Sequence, residues 1–480
     1  MVFSSIIFIF YFLPLLLFVY YLTGTRNAVL LFGSVIFYIW GEGTYVVLLA
    51  ALVLVNYVAG LLIQRSEGNR RQTVTLIAIA IDLLVLCRFK YTPLVIQTLA
   101  AGHISGGPLS RLRSHLPLGI SFFTFQLVSY LLDVNRGKIK AESNLTRLAT
   151  YIMMFPHLIA GPIVRYAEIA KDLRQKTVTL ERVGLGVQYF VVGLCQKVLI
   201  ANTVAPVADA IFTLPKEQLG SVAAWLGIVA YTLQIYFDFC GYSNMAIGLA
   251  FLLGFHFPKN FDYPYSAKSV TEFWRRWHMT LSFWFRDYVY IPLGGNRKGN
   301  NATLRNLVIV FFLVGLWHGA AWTFVAWGLY HGLFLLIERA GWGRIVARFP
   351  RGLRVAYTLV VVMFGWVLFR AATFHQAVFF SHAMIGGGVP GPLPVPILKL
   401  LNPEVRIALV IGSILSFPVL PRLLDALGKP RVGRDEEYAE PRLDTFFVHP
   451  LPVTAMALGL IACIALLATG SLNPFLYFRF

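Results

Sequence analysis

The stretch TLRNLVIVFFLVGLWHGAAWTFVAWGLYHGLFLLI, residues 303 to 337, decides the fold class. A helix needs about 20 apolar residues to cross the hydrocarbon core of a bilayer, and we expect two membrane helices near residues 303–320 and 322–341. Similar apolar runs recur along the 480-residue chain, which is 58% hydrophobic and has a mean hydropathy of +0.69. We therefore predict an all-α, polytopic membrane protein with roughly 11 to 13 membrane helices, accompanied by re-entrant or interfacial helices.

The composition predicts a single integral-membrane domain over residues 1 to 480, because no long Pro- or Ser-rich linker or low-complexity segment divides the chain. The four cysteines form no CxxC pair, so neither a zinc site nor a disulfide framework is predicted. The net charge of +19 falls mostly in loops between apolar runs, where it suits contact with anionic membrane lipids. No nucleic-acid-binding module is recognisable, so we expect no nucleic-acid partner.

Basic residues beside the first apolar runs predict an orientation. Arg26 follows the first run, Glu42 follows the second, and the basic segment RSEGNRR at residues 65 to 71 follows the third. Because cytoplasmic loops are enriched in lysine and arginine, this alternation places the N-terminus outside and both basic segments in the cytoplasm.

The apolar segment LATYIMMFPHLIAGPIVRY, residues 148 to 166, is interrupted by Pro156, Gly161 and Pro162. Irregular backbone at membrane depth is tolerated only where it is buried in protein or lines a cavity. The segment is therefore predicted to be a re-entrant element.

His318 lies near the middle of the stretch 303 to 337, with no other ionisable residue within ten positions on either side. Such a histidine either packs and hydrogen-bonds across helices or faces an internal cavity, and ionisable residues inside membrane segments mark functional sites by default. Gly315, Gly319 and the neighbouring alanines would let another backbone or a thin substrate approach the imidazole. We therefore predict a catalytic role for His318 and a structural one for His331.

A second histidine, His278, lies in TEFWRRWHMTLSFWFRDYVYIPLGGNRKG, residues 271 to 299. Aromatic rings favour the membrane boundary, so this stretch suits an amphipathic interfacial helix. The alternative is an element folded into the protein that carries His278 toward a cavity, and the two interpretations are compatible. The tryptophans concerned are Trp274, Trp277 and Trp284.

Arg275 and Arg276 precede His278, and Glu272 stands three and four residues before them, a spacing that pairs side chains on a helix. We expect both arginines to face the cytoplasm and to bind the phosphates of a donor molecule, because the guanidinium group suits phosphate.

Four polar residues interrupt another apolar segment, YTLQIYFDFCGYSNMAIGLA, residues 231 to 250. Structural hydrogen bonding and the lining of a cavity both explain them, and we favour the first. They are Gln234, Asp238, Tyr242 and Asn244.

The sequence contains no nucleophile elbow, phosphate-binding loop, zinc-protease motif or dinucleotide fingerprint. Two histidines in membrane-embedded settings, His278 and His318, therefore suggest a reaction in which a histidine base acts on a bound hydroxyl. A transporter is the alternative from a different functional class. It should show repeat-related broken helices, and we find no internal repeat of that kind.

Five segments of the sequence are long enough to be specific: 116–137 (LPLGISFFTFQLVSYLLDVNRG), 155–166 (FPHLIAGPIVRY), 235–265 (IYFDFCGYSNMAIGLAFLLGFHFPKNFDYPY), 273–299 (FWRRWHMTLSFWFRDYVYIPLGGNRKG) and 313–332 (LVGLWHGAAWTFVAWGLYHG). Together they closely resemble the membrane-bound O-acyltransferase family, in particular its bacterial branch with the alginate O-acetyltransferase membrane subunit. The likeness covers nearly the whole chain and is strongest from 116 to 340. The family's intramembrane histidine and its second, upstream histidine match His318 and His278. One departure is His157, where many relatives are expected to have glutamine.

The resemblance implies a many-helix fold around a central tunnel in the bacterial inner membrane. An acyl thioester, acetyl-CoA or a similar donor, would enter from the cytoplasm as a substrate, with no tightly bound cofactor and no metal. In this branch the acetyl group passes to a periplasmic or extracellular partner, often of the SGNH-hydrolase type, that acetylates an exopolysaccharide such as alginate. Acetylation of peptidoglycan, cellulose or another glycan, and D-alanyl transfer to teichoic acid, are the alternative reactions.

Overall fold

The computed structural model describes residues 2 to 101, 115 to 426 and 453 to 470, and every regular element in these ranges is helical. The predicted all-α fold class is therefore confirmed. The α-helices are α1 (Leu13–Leu22), α2 (Arg26–Glu42), α3 (Tyr45–Arg65), α4 (Gly68–Leu86), α5 (Thr92–Ala101), α6 (Ile120–Asn135), α7 (Leu145–Met153), α8 (Phe155–Leu158), α9 (Tyr166–Arg174), α10 (Leu180–Cys195), α11 (Asn202–Phe212), α12 (Ser221–Leu252), α13 (Val270–Arg276), α14 (Met279–Phe285), α15 (Gly299–His318), α16 (Trp322–Ile337), α17 (Gly343–Val346), α18 (Arg351–Arg370), α19 (Phe374–His382), α20 (Val395–Leu400), α21 (Pro403–Leu415), α22 (Val419–Ala426) and α23 (Val453–Ala468).

Within the described ranges, six helical stretches are long and apolar enough to cross a membrane. They are Tyr45–Arg65, Gly68–Ile96, Leu180–Phe212, Ser221–Leu252, Gly299–His318 and Arg351–Arg370. Two shorter apolar helices occupy Phe8–Leu22 and Val453–Ala468. The multi-pass architecture is therefore confirmed. The larger number of roughly 11 to 13 membrane helices and the central tunnel stay predictions, because length and composition select only these stretches.

The helices group into two compact units. Unit 1 contains Met1–Phe190 and Met245–Pro258, and unit 2 contains Val191–Asn244 and Lys259–Phe480. Helices α10 and α12 contribute residues to both units. The expectation of a single domain over residues 1 to 480 stays a prediction.

Close helix packing in unit 1 is visible between α3 and α6. Gly60 of α3 lets the ring of Tyr130 approach, because an added Cβ would lie 2.8 Å from the Tyr130 hydroxyl oxygen. That hydroxyl accepts a hydrogen bond from the backbone N–H of Glu142 at 3.0 Å. In lipid, such close contacts and hydrogen bonds hold helices together, since lipid tails are as apolar as leucine.

Arg71 and Glu42, which the sequence places in alternate loops, lie at opposite ends of the unit 1 helices. At one end Arg71, which follows α3, donates to the Val134 carbonyl at 2.6 Å. At the opposite end of α2, the Glu42 carboxylate lies 3.2 Å from His115 Nε2. This arrangement agrees with the predicted alternation of loops, whereas the side that faces the cytoplasm stays a prediction.

The backbone of the predicted re-entrant segment 148 to 166 is broken and buried. Helix α8 is a single turn, and the chain after it runs without regular structure to α9. Residues 148 to 164 are all buried in protein, which is the condition under which irregular backbone is tolerated at membrane depth. Gly119, with φ at +77°, lets the segment approach, because an added Cβ would lie 2.1 Å from the Leu158 carbonyl oxygen.

His157, the departure from the family pattern, lies inside this buried segment. Its Nε2–H donates to the Tyr151 carbonyl at 2.7 Å, and its ring stacks on Phe257 with centroids 5.3 Å apart. A glutamine amide can make the same donation to a carbonyl, so the change keeps the local hydrogen bond.

Helices α15 and α16 of unit 2 form a tight hairpin, so the stretch 303 to 337 breaks into two helices close to the predicted boundary. Their backbones meet at glycines. A Cβ added at Gly315 would lie 2.4 Å from the Phe324 carbonyl oxygen, and one at Gly328 would lie 2.2 Å from the Phe311 carbonyl oxygen. The small residue before His318 therefore serves the approach of another backbone, one of the two uses that we predicted.

Candidate active site

His318 is the last residue of α15 and is buried. Its Nδ1 lies 2.7 Å from the Val314 carbonyl oxygen, one turn earlier in the same helix. Because a carbonyl can only accept, Nδ1 carries the proton and Nε2 carries the lone pair of the neutral ring. Trp327 and Phe369 pack around the ring, with centroids 4.7 Å and 5.7 Å away. The ring therefore has the tautomer that a general base needs at Nε2.

His278 lies in the break between α13 and α14, where its backbone has φ +43°. Left-handed backbone is uncommon for a residue with a side chain and persists where the surroundings hold it. Here the backbone N–H of Met279 donates to the Asn260 carbonyl, and that of Asp262 donates to the Arg276 carbonyl, both at 2.9 Å. The His278 side chain is fully buried. The stretch that carries His278 is therefore folded into the protein, which is the second of the two interpretations given above.

The amide of Asn260 orients the His278 ring. Asn260 Oδ1 lies 3.1 Å from His278 Nδ1 and also accepts from the Thr280 backbone N–H at 3.3 Å and hydroxyl at 2.9 Å. A backbone N–H can only donate, which identifies this amide atom as the oxygen, so His278 Nδ1 carries the proton. The other end of the amide donates to the Ser243 hydroxyl at 2.9 Å.

Both imidazoles therefore present Nε2 as an acceptor. Burial, and after it the neighbouring His318, hold the pKa of His278 well below its ordinary value of 6.5. His278 Nε2 is buried and makes no hydrogen bond to any residue that the structure describes. The two ring centroids are 6.4 Å apart, at an interplanar angle of 84°. Two neutral bases in one small volume can share a hydroxyl proton, which suits acyl transfer to an alcohol.

The tryptophans of residues 271 to 299 are buried, so the expectation that these rings face the membrane boundary is wrong. Trp277 packs against Trp366 with centroids 4.9 Å apart, and Trp274 packs edge-on against Phe311 at 5.2 Å. The stretch folds inward because these rings bury more apolar surface in an aromatic cluster beside the histidines than at the surface.

Arg276 and Arg275 have different surroundings. Arg276 is held by Glu272 at 2.8 Å and by Asp262 at 3.4 Å, so the predicted helical pairing of Glu272 involves this arginine. Arg275 is exposed. Donor binding by either arginine stays a prediction. The ion pair between Arg276 and Asp262 also helps to hold the His278 turn, because Asp262 belongs to the segment that packs against this turn.

Two of the four polar residues of segment 231–250 make structural hydrogen bonds of the kind that we favoured. Asp238 forms a buried ion pair with Lys197, and Asn244 donates to the Gln196 side chain at 2.8 Å. Gln234 Oε1 is buried and has no hydrogen-bond partner in the described part of the chain, so the lining of a cavity stays open for this residue.

His331 is packed as a structural residue would be, and its role stays a prediction. Its ring contacts Trp274 and Trp327, with centroids 5.3 Å and 5.4 Å away, and neither ring nitrogen bonds to another described residue. A Cβ added at Gly365 would lie 2.6 Å from His331 Nε2, so the ring is tightly enclosed.

Comparison with known proteins identifies the family. The sequence profile described as the membrane-bound O-acyltransferase family matches residues 35 to 374. The chain belongs to this family. It is 40% identical to the probable alginate O-acetylase AlgI of Pseudomonas putida over the full length of both chains. It is 33% identical to the peptidoglycan O-acetyltransferase of Helicobacter pylori over 80% of each chain. With the teichoic acid D-alanyltransferase of Bacillus subtilis it shares 32% identity over 54% of this chain and 70% of that protein.

Membership of the membrane-bound O-acyltransferase family makes the protein an O-acyltransferase, and the predicted family and enzyme class are confirmed. The catalytic roles of His318 and His278 stay predictions, which the structure sharpens by bringing the two rings together. Sequence reasoning missed Asn260 and Ser243. A neutral amide in a loop, 18 residues before His278, carries no signal of its own in the sequence.

Proposed function

We propose that this membrane-bound O-acyltransferase moves an acetyl group from acetyl-CoA toward hydroxyl groups of an exopolysaccharide such as alginate. The observation that carries the proposal is the end-to-end identity with relatives named probable alginate O-acetylase, 40% in Pseudomonas putida and 38% in Pseudomonas aeruginosa, over the whole of each chain. The similarity extends beyond the catalytic segments into regions that the family profile does not match. This supports a shared acceptor more strongly than similarity around the histidines alone would.

In the proposed reaction His318 is the general base. Its Nε2 takes the proton of the acceptor hydroxyl as the oxygen attacks the thioester carbonyl carbon. The carbon–sulfur bond then breaks, and the departing thiolate takes the proton back from the imidazolium. Proton transfer by a positioned base contributes about 10²–10⁴-fold to the rate.

His278 has a narrower role in this reaction, because Asn260 fixes its tautomer. With the proton on Nδ1, Nε2 can accept a hydrogen bond from the hydroxyl or assist its deprotonation, but it cannot donate a hydrogen bond to the thioester carbonyl. His278 therefore orients the nucleophile, and the carbonyl is polarised by other groups.

We further propose that the protein lies in the bacterial inner membrane and that the donor arrives from the cytoplasm. Positive charge at the Arg26 and Arg71 end of unit 1 supports that orientation. The acetyl group then passes to a periplasmic or extracellular partner of the SGNH type, whose hydroxyl is the immediate acceptor. The family resemblance is what supports this partner.

Complementation tests the acceptor. The chain is expressed in a Pseudomonas putida strain that lacks its probable alginate O-acetylase, and acetyl groups on secreted alginate are quantified by NMR. We expect the wild-type chain to restore acetylation and His318→Ala to leave alginate unacetylated at equal membrane abundance. In parallel, radiolabelled acetyl-CoA is supplied to the purified protein in liposomes, with and without the SGNH-type partner. Absence of both alginate acetylation and label transfer contradicts the proposal.

Acetylation of peptidoglycan is the second candidate, because the Helicobacter pylori peptidoglycan O-acetyltransferase is 33% identical over 80% of each chain. Acetyl groups on isolated muropeptides from the same cells separate the two acceptors. Label in muropeptides with none in alginate replaces the first candidate by the second.

A further inference from the structure

A polar cavity of about 650 Å³ lies in unit 1, whereas both histidines of the candidate active site belong to unit 2. Its size falls in the range of small-molecule sites, roughly 300–1,000 Å³. The turn before α2, the start of α7 and the end of α9 line it.

Four basic side chains line this cavity: Arg26, Arg147, Arg174 and Lys176. Arg26 has no carboxylate partner among residues 2–101, 115–426 and 453–470, and it contacts the ring of Tyr20. Lys176 Nζ is buried without a hydrogen-bond partner in the same ranges, 5.1 Å from the Tyr20 ring centroid. The cluster therefore holds cations whose hydrogen-bonding capacity the described protein does not use.

One buried carboxylate, that of Glu142, lies close to two of these arginines. Glu142 lies 3.6 Å from a terminal nitrogen of Arg147 and 3.6 Å from one of Arg174, and its side chain is 1% exposed. Tyr166 donates its hydroxyl to the same carboxylate at 2.5 Å. The Glu142 oxygens already accept from the Tyr166 hydroxyl and the Asn144 backbone N–H, so this single carboxylate attracts both guanidinium groups and leaves an excess of positive charge in the cavity.

Backbone and hydroxyl groups add to the attraction for an anion. The cavity is lined by the N-terminal residues of α2, which has no side-chain cap, and of α7, whose cap Asn144 accepts from the Arg147 N–H; both helix N-termini carry partial positive charge. The Thr23 hydroxyl, also at the cavity, is buried and lacks a hydrogen-bond partner within the described residues. Burial, followed by the charge of Arg26, lowers the pKa of Lys176 to about 7, an electrostatic cost that a bound anion would relieve.

We propose that this cavity is a phosphate-binding site, in which Arg26, Arg147, Arg174 and Lys176 hold the phosphate of a larger ligand. Guanidinium forks and helix N-termini are the groups that bind phosphate best in proteins. A single phosphate fills only a small part of 650 Å³, so the ligand is a phosphate ester. Two sources supply such a group at a membrane, an anionic phospholipid headgroup and a soluble cytoplasmic phosphate ester. None of the four basic residues belongs to the candidate active site around His318 and His278.

Binding measurements on the full-length detergent-purified protein test the site. The probes are coenzyme A as a soluble phosphate ester, dioctanoyl phosphatidylglycerol as an anionic lipid, and dioctanoyl phosphatidylcholine as its zwitterionic control. The lead variant is Arg26→Gln, which leaves no buried carboxylate unpaired. Its matched control is Arg65→Gln, an exposed arginine in the last turn of α3 that does not line the cavity.

We expect Arg26→Gln to weaken binding of one phosphate probe about tenfold, the effect of losing one charge-assisted contact, while Arg65→Gln leaves it unchanged. Loss for coenzyme A assigns the soluble source, and loss for phosphatidylglycerol assigns the lipid source. Arg147→Lys keeps the charge beside Glu142 and removes the fork, so it should weaken the same probe by a smaller factor. This variant also serves if Arg26→Gln yields poorly folded protein.

Three results would overturn the proposal. One is that neither coenzyme A nor phosphatidylglycerol binds. Another is binding that both Arg26→Gln and Arg147→Lys leave unchanged, which places the ligand elsewhere. The third is equal affinity for phosphatidylcholine and phosphatidylglycerol with no binding of coenzyme A, which reduces the interaction to detergent-like lipid contact.

Discussion

His318 and His278 reach the same aromatic surroundings by different means. The hydrogen bond that sets the tautomer of His318 goes to Val314, four residues earlier in its own helix. His278 depends on Asn260, 18 residues away in the chain, and on a left-handed backbone that a neighbouring segment holds. One imidazole is therefore positioned by local structure and the other by tertiary structure, so the two should respond differently to substitutions around them.

The largest expected effect comes from His318→Ala. Removing the general base should lower acyl transfer by about 10³-fold or more while the protein remains folded, because the alanine keeps α15 intact. Transfer of label from acetyl-CoA and thermal stability in detergent are measured together. His331→Gln is the matched control, since it alters a buried histidine of the same cluster for which we predict a packing role. Near-normal transfer by His318→Ala would remove the catalytic assignment.

His278→Ala should lower turnover about 10²-fold, less than His318→Ala, because this ring assists a base rather than replacing it. The double variant should be no slower than His318→Ala alone, since residues that act as a unit are non-additive. Rates are compared per folded molecule. If that rate is unchanged and only the melting temperature falls, His278 is a structural element of the turn and the comparison between the histidines loses its functional meaning.

Asn260 tests whether tertiary positioning matters, and Asn260→Ala should lower turnover about tenfold by releasing the tautomer of His278. Asn260→Asp keeps an acceptor at Nδ1 but adds a negative charge, which favours the imidazolium and raises the pKa of His278. The acid limb of its pH–rate profile should therefore move to higher pH. Ser243→Ala, which removes the acceptor at the far end of the amide, should have the same effect as Asn260→Ala in weaker form. A profile that does not move for Asn260→Asp speaks against a positioning role.

The smallest effects are expected at the two arginines before His278. Arg276→Gln removes the ion pairs with Glu272 and Asp262 and should lower kcat about twofold to fivefold. It should also lower the free energy of unfolding by about 1 kcal/mol.

Arg275→Gln leaves the turn intact and should only raise KM for acetyl-CoA about threefold, with a salt-sensitive defect. An unchanged KM at all salt concentrations means that the donor phosphates bind elsewhere.

The same contrast explains how far the sequence could be interpreted. The burial of His318 was predictable, because an isolated histidine in an apolar stretch and a neighbouring glycine are local features. The inward fold of Trp274 and Trp277 was not, since aromatic rings suit a membrane boundary and a protein core equally well. The contact of Asn260 with His278 was not predictable, because it depends on which segment packs against the His278 turn. Periodicity and composition report local structure and burial, whereas loop packing is decided by contacts between distant residues.

The glycine contacts between α15 and α16 have a consequence for how the enzyme can work. With carbonyl oxygens 2.4 Å and 2.2 Å from the Cβ positions that Gly315 and Gly328 lack, the two backbones interlock and neither helix can slide or rotate without a collision. The position of His318, at the end of α15, is therefore fixed by this packing. Any movement that brings hydroxyl, thioester and base together must be made by the reactants or by the segment that carries His278.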